Sequence, residues 1–213
     1  MKKILCVFII MAFVSCSDIQ YDGEKRLVFK TTIRNANNEP LPNSYVEVSI
    51  SNSFASDLIS KGKTNQNGEL TLIFPSPQSD TSINLKIYNE DTGYMPKEIF
   101  NIKKTDFITY LLDFQNVWLF KNEEVAPLNL TYNQTNFNNT IRKVSIVGMY
   151  HLNTEFYNFD SESFYELPNQ IWIKKNQSFQ LRYTVFNSIS NSETTSSVTL
   201  SIANDAINYT LNY

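Results

Sequence analysis

Between residues 150 and 172 the chain places several chemically capable side chains close together. Glu155, Asp160, Glu162 and Glu166 are interleaved with Phe156, Tyr157, Phe159, Phe164 and Tyr165, and Tyr150 and Trp172 flank the stretch. Asp160 and Glu162 stand at alternate positions and could ligate Ca²⁺ through oxygen, but the spacing of a calcium-binding loop is absent. Two carboxylates facing each other across a cleft would suit glycoside hydrolysis. Acidic residues in a polar loop also serve simply to keep strand edges from pairing. No metal site is therefore assigned. The aromatic residues are the better candidates, because Tyr and Trp offer a broad apolar face with a polar atom, suited to a sugar ring or a protein partner. Tyr150, Tyr157, Tyr165 and Trp172 form the candidate binding surface, although aromatics at strand positions also build cores.

Other motifs lead nowhere catalytic. Gly62-Lys63-Thr64 has the tail of a phosphate loop, but Asp57 stands where the first glycine belongs and no strand-loop-helix context surrounds it. His151 is the sole histidine, too few for a zinc centre, and is expected at a surface or rim. No nucleophile elbow marks any serine for a Ser-His-Asp arrangement. The expectation is a protein with no catalytic residues and no cofactor.

Charge narrows the partners. The 213 residues carry a formal net charge of −3, and Lys2 and Lys3 lie in a segment read below as a cleaved leader, which makes the mature chain more acidic still. Nucleic acid, which demands clustered positive charge, is disfavoured. Five glycines and two cysteines leave no disulfide framework and no glycine-rich cofactor loop.

Met1-Lys2-Lys3 followed by the apolar run Ile4 to Val14 has the plan of a secretory leader and is too short for a permanent membrane span of about 20 residues. The run ends at Phe13-Val14-Ser15-Cys16. This resembles the lipobox of bacterial lipoproteins, with Phe13 where the pattern usually has Leu. The resemblance implies cleavage after Ser15 and acylation (diacylglyceryl, palmitate-type) of Cys16, the first mature residue. Cys6 leaves with the leader, so Cys16 has no intramolecular partner. Asp18, Asp22 and Glu24 follow closely, similar to the acidic export signal of Bacteroidetes surface lipoproteins. Residues 16–23 are expected to be a tether, and the protein to sit lipid-anchored on the outer membrane, surface-exposed.

Beyond the leader, period-two alternation recurs and no 3.6-residue period is sustained, which predicts an all-β protein of two tandem β-sandwiches. The first is expected over 24–113. Its segments alternate at Leu27/Phe29/Thr31/Ile33, Val46/Val48/Ile50, Leu70/Leu72/Phe74, Ile83/Leu85/Ile87 and Phe107/Thr109/Leu111. Pro40-Leu41, Val46, Thr64, Gly68 and Gly93-Tyr94 resemble the pattern of the carboxypeptidase regulatory-like domain, a prealbumin-like sandwich. Asn43-Ser44 stands for its Gly-Ala, Asn65 for its Asp and Leu70 for its aromatic. That resemblance implies a structural or binding module without catalytic residues.

The second sandwich is expected over 114–213, immunoglobulin-like or related, from segments 128–132, 141–150, 154–159, 170–173, 179–186, 196–202 and 207–212. The leading expectation is a non-enzymatic outer-membrane lipoprotein acting as an accessory, scaffold or protein-binding subunit. Surface glycan binding is the alternative, and a carboxylate hydrolase the third reading. The implied partners are the bilayer, through Cys16, and an envelope protein or glycan.

Overall fold

The computed structural model describes residues 19–52, 55–78, 81–155 and 167–213. The chain is all-β, with fifteen strands among the described residues and two short 3₁₀ turns. The first body contains β1 (Tyr21–Arg34), β2 (Ser44–Ser51), β3 (Ser56–Lys63), β4 (Glu69–Pro77), β5 (Ser82–Asn89), β6 (Lys97–Ile102) and β7 (Leu111–Trp118). One sheet has the order β4-β1-β7, and the other runs β6-β5-β2-β3. Their inner faces meet in a core that includes Phe29, Ile33, Val46, Val48, Phe74 and Ile87, as the alternation requires.

The second body contains β8 (Val125–Asn133), β9 (Asn139–Val147), β10 (Tyr150–His151), β12 (Gln170–Lys174), β13 (Gln177–Asn187), β14 (Ser192–Ile202) and β15 (Ile207–Asn212). Its sheets run β10-β12-β8-β15 and β14-β13-β9 around Leu128, Ile173, Phe179, Leu181 and Leu211. The pairing repeats the first body. In each, the opening strand lies between an antiparallel neighbour and the closing strand, which runs parallel to it: β1 between β4 and β7, β8 between β12 and β15. The facing sheets match as well, β2-β5-β6 against β9-β13-β14.

Two turns of the first body share one device. Asn35 Oδ1 accepts from the amides of Asn37 and Glu39, and its Nδ2 donates to Glu39. Asn65 does the same with Asn67 and Glu69. In both, the fourth residue takes a positive φ, 64° at Asn38 and 71° at Gly68. At Gly68 a Cβ would lie 2.4 Å from the Ile33 carbonyl oxygen, so only glycine fits. Asparagine has a second role in the second body, where Asn129 and Asn208 bond across β8 and β15, as do Asn133 and Asn212. Compositional richness in Asn thus becomes a side-chain ladder.

The structure differs from the sequence reading in four places. The polar β3 and the short β6 lie outside the five alternating segments, since neither has a clean apolar period. Residues 107–110 are not part of the expected strand but a tight turn leading into β7 at Leu111, because Thr109 and Tyr110 both adopt left-handed backbone, φ 51° and 67°. The expected boundary at 113/114 falls inside β7, which stays paired to β1 as far as Trp118. The expected tether 16–23 is also too long. Ile19 is buried in the first core, and Tyr21 already pairs with Pro77.

Strand directions sort the loops. The N-terminus and the β2–β3, β4–β5 and β6–β7 connections gather at one pole of the first body. The second body joins at the other pole, through Leu119 to Glu124.

Candidate functional site

The junction between the two bodies holds most of the sequence candidates that the structure describes. Ala36, Phe120 and Val125 form a small buried cluster there, packed by Met95, Trp118 and Met149. Across it the Met95 amide donates to the Phe120 carbonyl (2.8 Å) and the Lys175 amide to the Glu124 carbonyl (2.8 Å). β11 (Thr154–Glu155), which follows β10 in the second body, leaves that body and adds to the edge of β6, running parallel, with Thr154 opposite Ile99 and Glu155 opposite Phe100. The Glu98 amide donates to Asn153 Oδ1 at 2.9 Å. The bodies are therefore joined by main-chain pairing as well as by side-chain packing.

At this junction His151 is buried rather than on a rim. Its Nδ1 has no hydrogen-bond partner among the described residues. Burial, and then the nearby Lys97 charge, push its pKa down from 6.5 to about 4, so the ring is neutral at pH 7. Lys97 is half-buried on β6 with its ammonium 5.4 Å from the centroid of the Tyr150 ring. Desolvation lowers its pKa to about 8. A general base poised for catalysis would need a second polar partner and a substrate cleft. Here the Lys97 charge and the burial of the ring keep His151 uncharged inside a packed junction.

The candidate aromatic surface divides. Tyr150 pairs with Ile173 and packs inward on the second core. His151 pairs with Trp172, which lies on the opposite face of the sheet and is 37% exposed. Tyr150 and Trp172 therefore share no platform. Tyr157, Tyr165, Asp160, Glu162 and Cys16 lie outside the described residues. Among the described residues no group of three or more His, Cys, Asp and Glu side chains is placed to hold a metal ion.

A second aromatic cluster, on the outer face of β2, β3 and β5, was missed by sequence reasoning. Tyr45 and Tyr88 stack with centroids 5.3 Å apart, and Lys61 lies 4.9 Å from the Tyr45 ring. Glu47 accepts from Lys61 and Tyr88, and Glu90 from Tyr45 and Lys63. Lys61 holds the Glu47 carboxyl below its usual range. The strand alternation carried the only signal, placing all these residues on one sheet face. With hydroxyls, carboxylates and ammonium groups paired among themselves, the cluster closes the sheet surface and offers little to a ligand.

The feature most open to a partner is β14. It is eleven residues long, forms the edge of its sheet, and pairs with β13 without a register shift from Ser192 to Ile202. Its sequence, Ser-Glu-Thr-Thr-Ser-Ser-Val-Thr-Leu-Ser-Ile, has one charge and no proline. Natural edge strands are usually blunted by Lys, Pro, bulges or brevity, as the lysine-bearing β3 is here. Nothing pairs with the outer edge of β14 among the described residues.

Comparison with known proteins gives fold neighbours only. No family model and no curated protein matches. Among solved structures, the shaft pilin SpaA from Lactobacillus rhamnosus GG is similar at 10% identity, with 88% of this chain and 98% of that one covered and a TM-score of 0.37. A streptococcal ancillary pilin is similar at 9% identity over 90% of this chain and 63% of that one, TM-score 0.33. A 3-chlorocatechol 1,2-dioxygenase from Rhodococcus opacus 1CP is similar at 14% identity, TM-score 0.32, and the match spans 49% of this chain and 62% of the enzyme. These scores are too low to carry an argument about activity. The all-β sandwich assignment rests on the chain's own pairing.

Proposed function

We propose that this chain is a non-enzymatic, lipid-anchored envelope protein that serves as an accessory subunit, binding a protein partner by strand addition to β14. The observation that carries the reading is the long, regular, almost uncharged edge of β14, unpaired among the described residues. An added strand gains main-chain hydrogen bonds along its length, while alternate side chains provide selectivity. The lipobox-like Phe13-Val14-Ser15-Cys16 supports anchoring in the outer membrane. The second body joins at the pole opposite the N-terminus, so β14 lies away from the end of the first body that the Cys16 lipid would hold. The joined bodies suit a rigid spacer: β11 on β6 and the buried Phe120 cluster oppose hinge motion.

The glycan reading gains no such support, because Tyr150 and Trp172 occupy opposite faces of their sheet. No helix among the described residues is long and apolar enough to cross a membrane; this reading attaches the chain to the bilayer through Cys16.

The test is site-specific photo-crosslinking in intact cells. A photoreactive amino acid at Thr199, exposed on β14, is expected to yield one adduct of defined mass, while the same group at Leu58 on β3 yields none. Ser197→Lys combined with Ser201→Lys, which places charge along the edge without touching the core, is expected to abolish the adduct. Equal crosslinking from both positions, or an adduct indifferent to the lysines, would refute strand addition.

A further inference from the structure

The pole of the first body that carries the N-terminus also carries an unusual turn. Ile108 and Leu111 exchange both main-chain hydrogen bonds, at 2.9 and 3.0 Å. Between them Thr109 and Tyr110 both take left-handed backbone, at φ 51° and 67°. Turns of this shape are ordinarily built from Asn-Gly, because an L-residue with a side chain is strained in that region. A branched residue such as Thr109 is a particularly poor fit. The turn is nonetheless held in place, since the Val28 amide donates to the Tyr110 carbonyl at 2.8 Å.

What this strained turn presents is apolar. Ile108 is 81% exposed, Tyr110 51% and Leu111 40%. Beside it lies a depression of about 450 Å³ bordered by Asp22, Lys25, Gln78, Lys104 and Tyr110. Gln78 ties the turn's surroundings to the N-terminus: its amide donates to the Gln20 carbonyl and its side chain to the Tyr21 carbonyl. An aliphatic and an aromatic tip flanked by lysines is the composition of a membrane-interface contact.

Chain length supplies the occupant. Ile19 is buried in the core, and the three steps from Cys16 to Ile19 span at most about 11 Å. The polar region of one leaflet is roughly 5–7 Å deep. An acyl group on Cys16 therefore holds this pole against the headgroups.

We propose that the Ile108–Leu111 turn is a membrane-contacting tip that seats Ile108 and Tyr110 at the headgroup–acyl boundary of the bilayer holding the Cys16 lipid. This rests on the anchoring part of the proposed function. Contact at a second point besides the lipid fixes the tilt of the body, so that β14 is presented at a constant height rather than swept about a tether.

The experiment uses the full chain processed in a lipoprotein-producing bacterium and reconstituted into phosphatidylethanolamine/phosphatidylglycerol vesicles. Ile108→Cys is labelled with an environment-sensitive fluorophore, with Ile189→Cys, 77% exposed on the β13–β14 turn, as the comparison. The expected result is a blue-shifted emission at 108, quenched at least twofold by lipids brominated along the acyl chain, with position 189 unchanged. Intact mass is measured on the same samples. Lipid on Cys16 with a water-like, unquenched label at 108 overturns the inference alone. Absence of lipid on Cys16 overturns the anchoring reading and the inference with it. A label at 108 that shifts in whole envelopes but not in the vesicles means that a protein covers the turn, and likewise overturns the inference.

Discussion

Acidification reads out the electrostatics of the junction, and His151 is the group to perturb. In the folded chain its pKa lies near 4 against an ordinary 6.5, through burial and the Lys97 charge. Between those values the unfolded chain binds the proton and the folded chain does not, so stability falls as pH drops through 6.5 and stops falling below 4. From pH 7.5 to pH 5.0 this one ring accounts for about 2 kcal/mol of lost stability. The depressed carboxylates Asp22, Glu47, Glu90 and Asp91 also lose stability in acid, but they are common to any His151 variant and cancel in a difference. The assay is urea unfolding of the anchorless chain, residues 17–213, followed by tryptophan fluorescence at the two pH values, with His151→Leu alongside. The wild-type chain is expected to lose about 2 kcal/mol more than the variant over that interval. Equal losses would refute the argument and mean that the ring is solvated or hydrogen-bonded.

Four further outcomes are expected. Lys97→Met removes a half-buried charge whose pKa is lowered to about 8. The penalty it relieves is full below pH 8 and gone above the ordinary value of 10.5, so after subtracting the lost contact with Tyr150 the variant gains about 1–3 kcal/mol at pH 7 and nothing at pH 11, measured by the same urea titration. Gly68→Ala drives a Cβ into the Ile33 carbonyl at a left-handed position and costs about 2 kcal/mol or more, whereas Gly23→Ala, with nothing within 4 Å, leaves the urea midpoint unchanged. Replacing Thr109-Tyr110 by Asn-Gly relieves the strained turn and raises stability by about 1–3 kcal/mol. Asn65→Ala, which strips three hydrogen bonds from its turn, is expected to lower stability by about 1–3 kcal/mol, checked by thermal or urea unfolding.

Much of the fold is legible because period-two alternation survives wherever one strand face is buried. Leu27 to Ile33, Val46 to Ile50 and Phe179 to Leu181 show it plainly. It fails at β3, where a polar edge strand needs no apolar face, and at Phe107 to Leu111, where alternation is present but two residues turn the chain back on itself. The turn pair Asn35/Glu39 and Asn65/Glu69 was open to reading from its repeated spacing. The candidate surface was harder. Whether Tyr150 and Trp172 face the same way depends on the register of β10 with β12, and one residue of register inverts the answer. His151 likewise owes its burial to the junction, which brings Lys97 from another strand. The edge position of β14 is a property of sheet order, to which a Ser/Thr-rich sequence contributes only its lack of charge.

In the proposed reading, orientation at the envelope, the height of β14 and the role of the Ile108 turn all depend on acylation of Cys16. Intact mass spectrometry of the chain recovered from a membrane fraction tests this most directly. The expected species begins at Cys16 and carries a diacylglyceryl group, and Cys16→Ala releases the chain from the membrane. An unmodified Cys16 in the recovered chain, or a Cys16→Ala chain that stays membrane-bound, would contradict lipid anchoring.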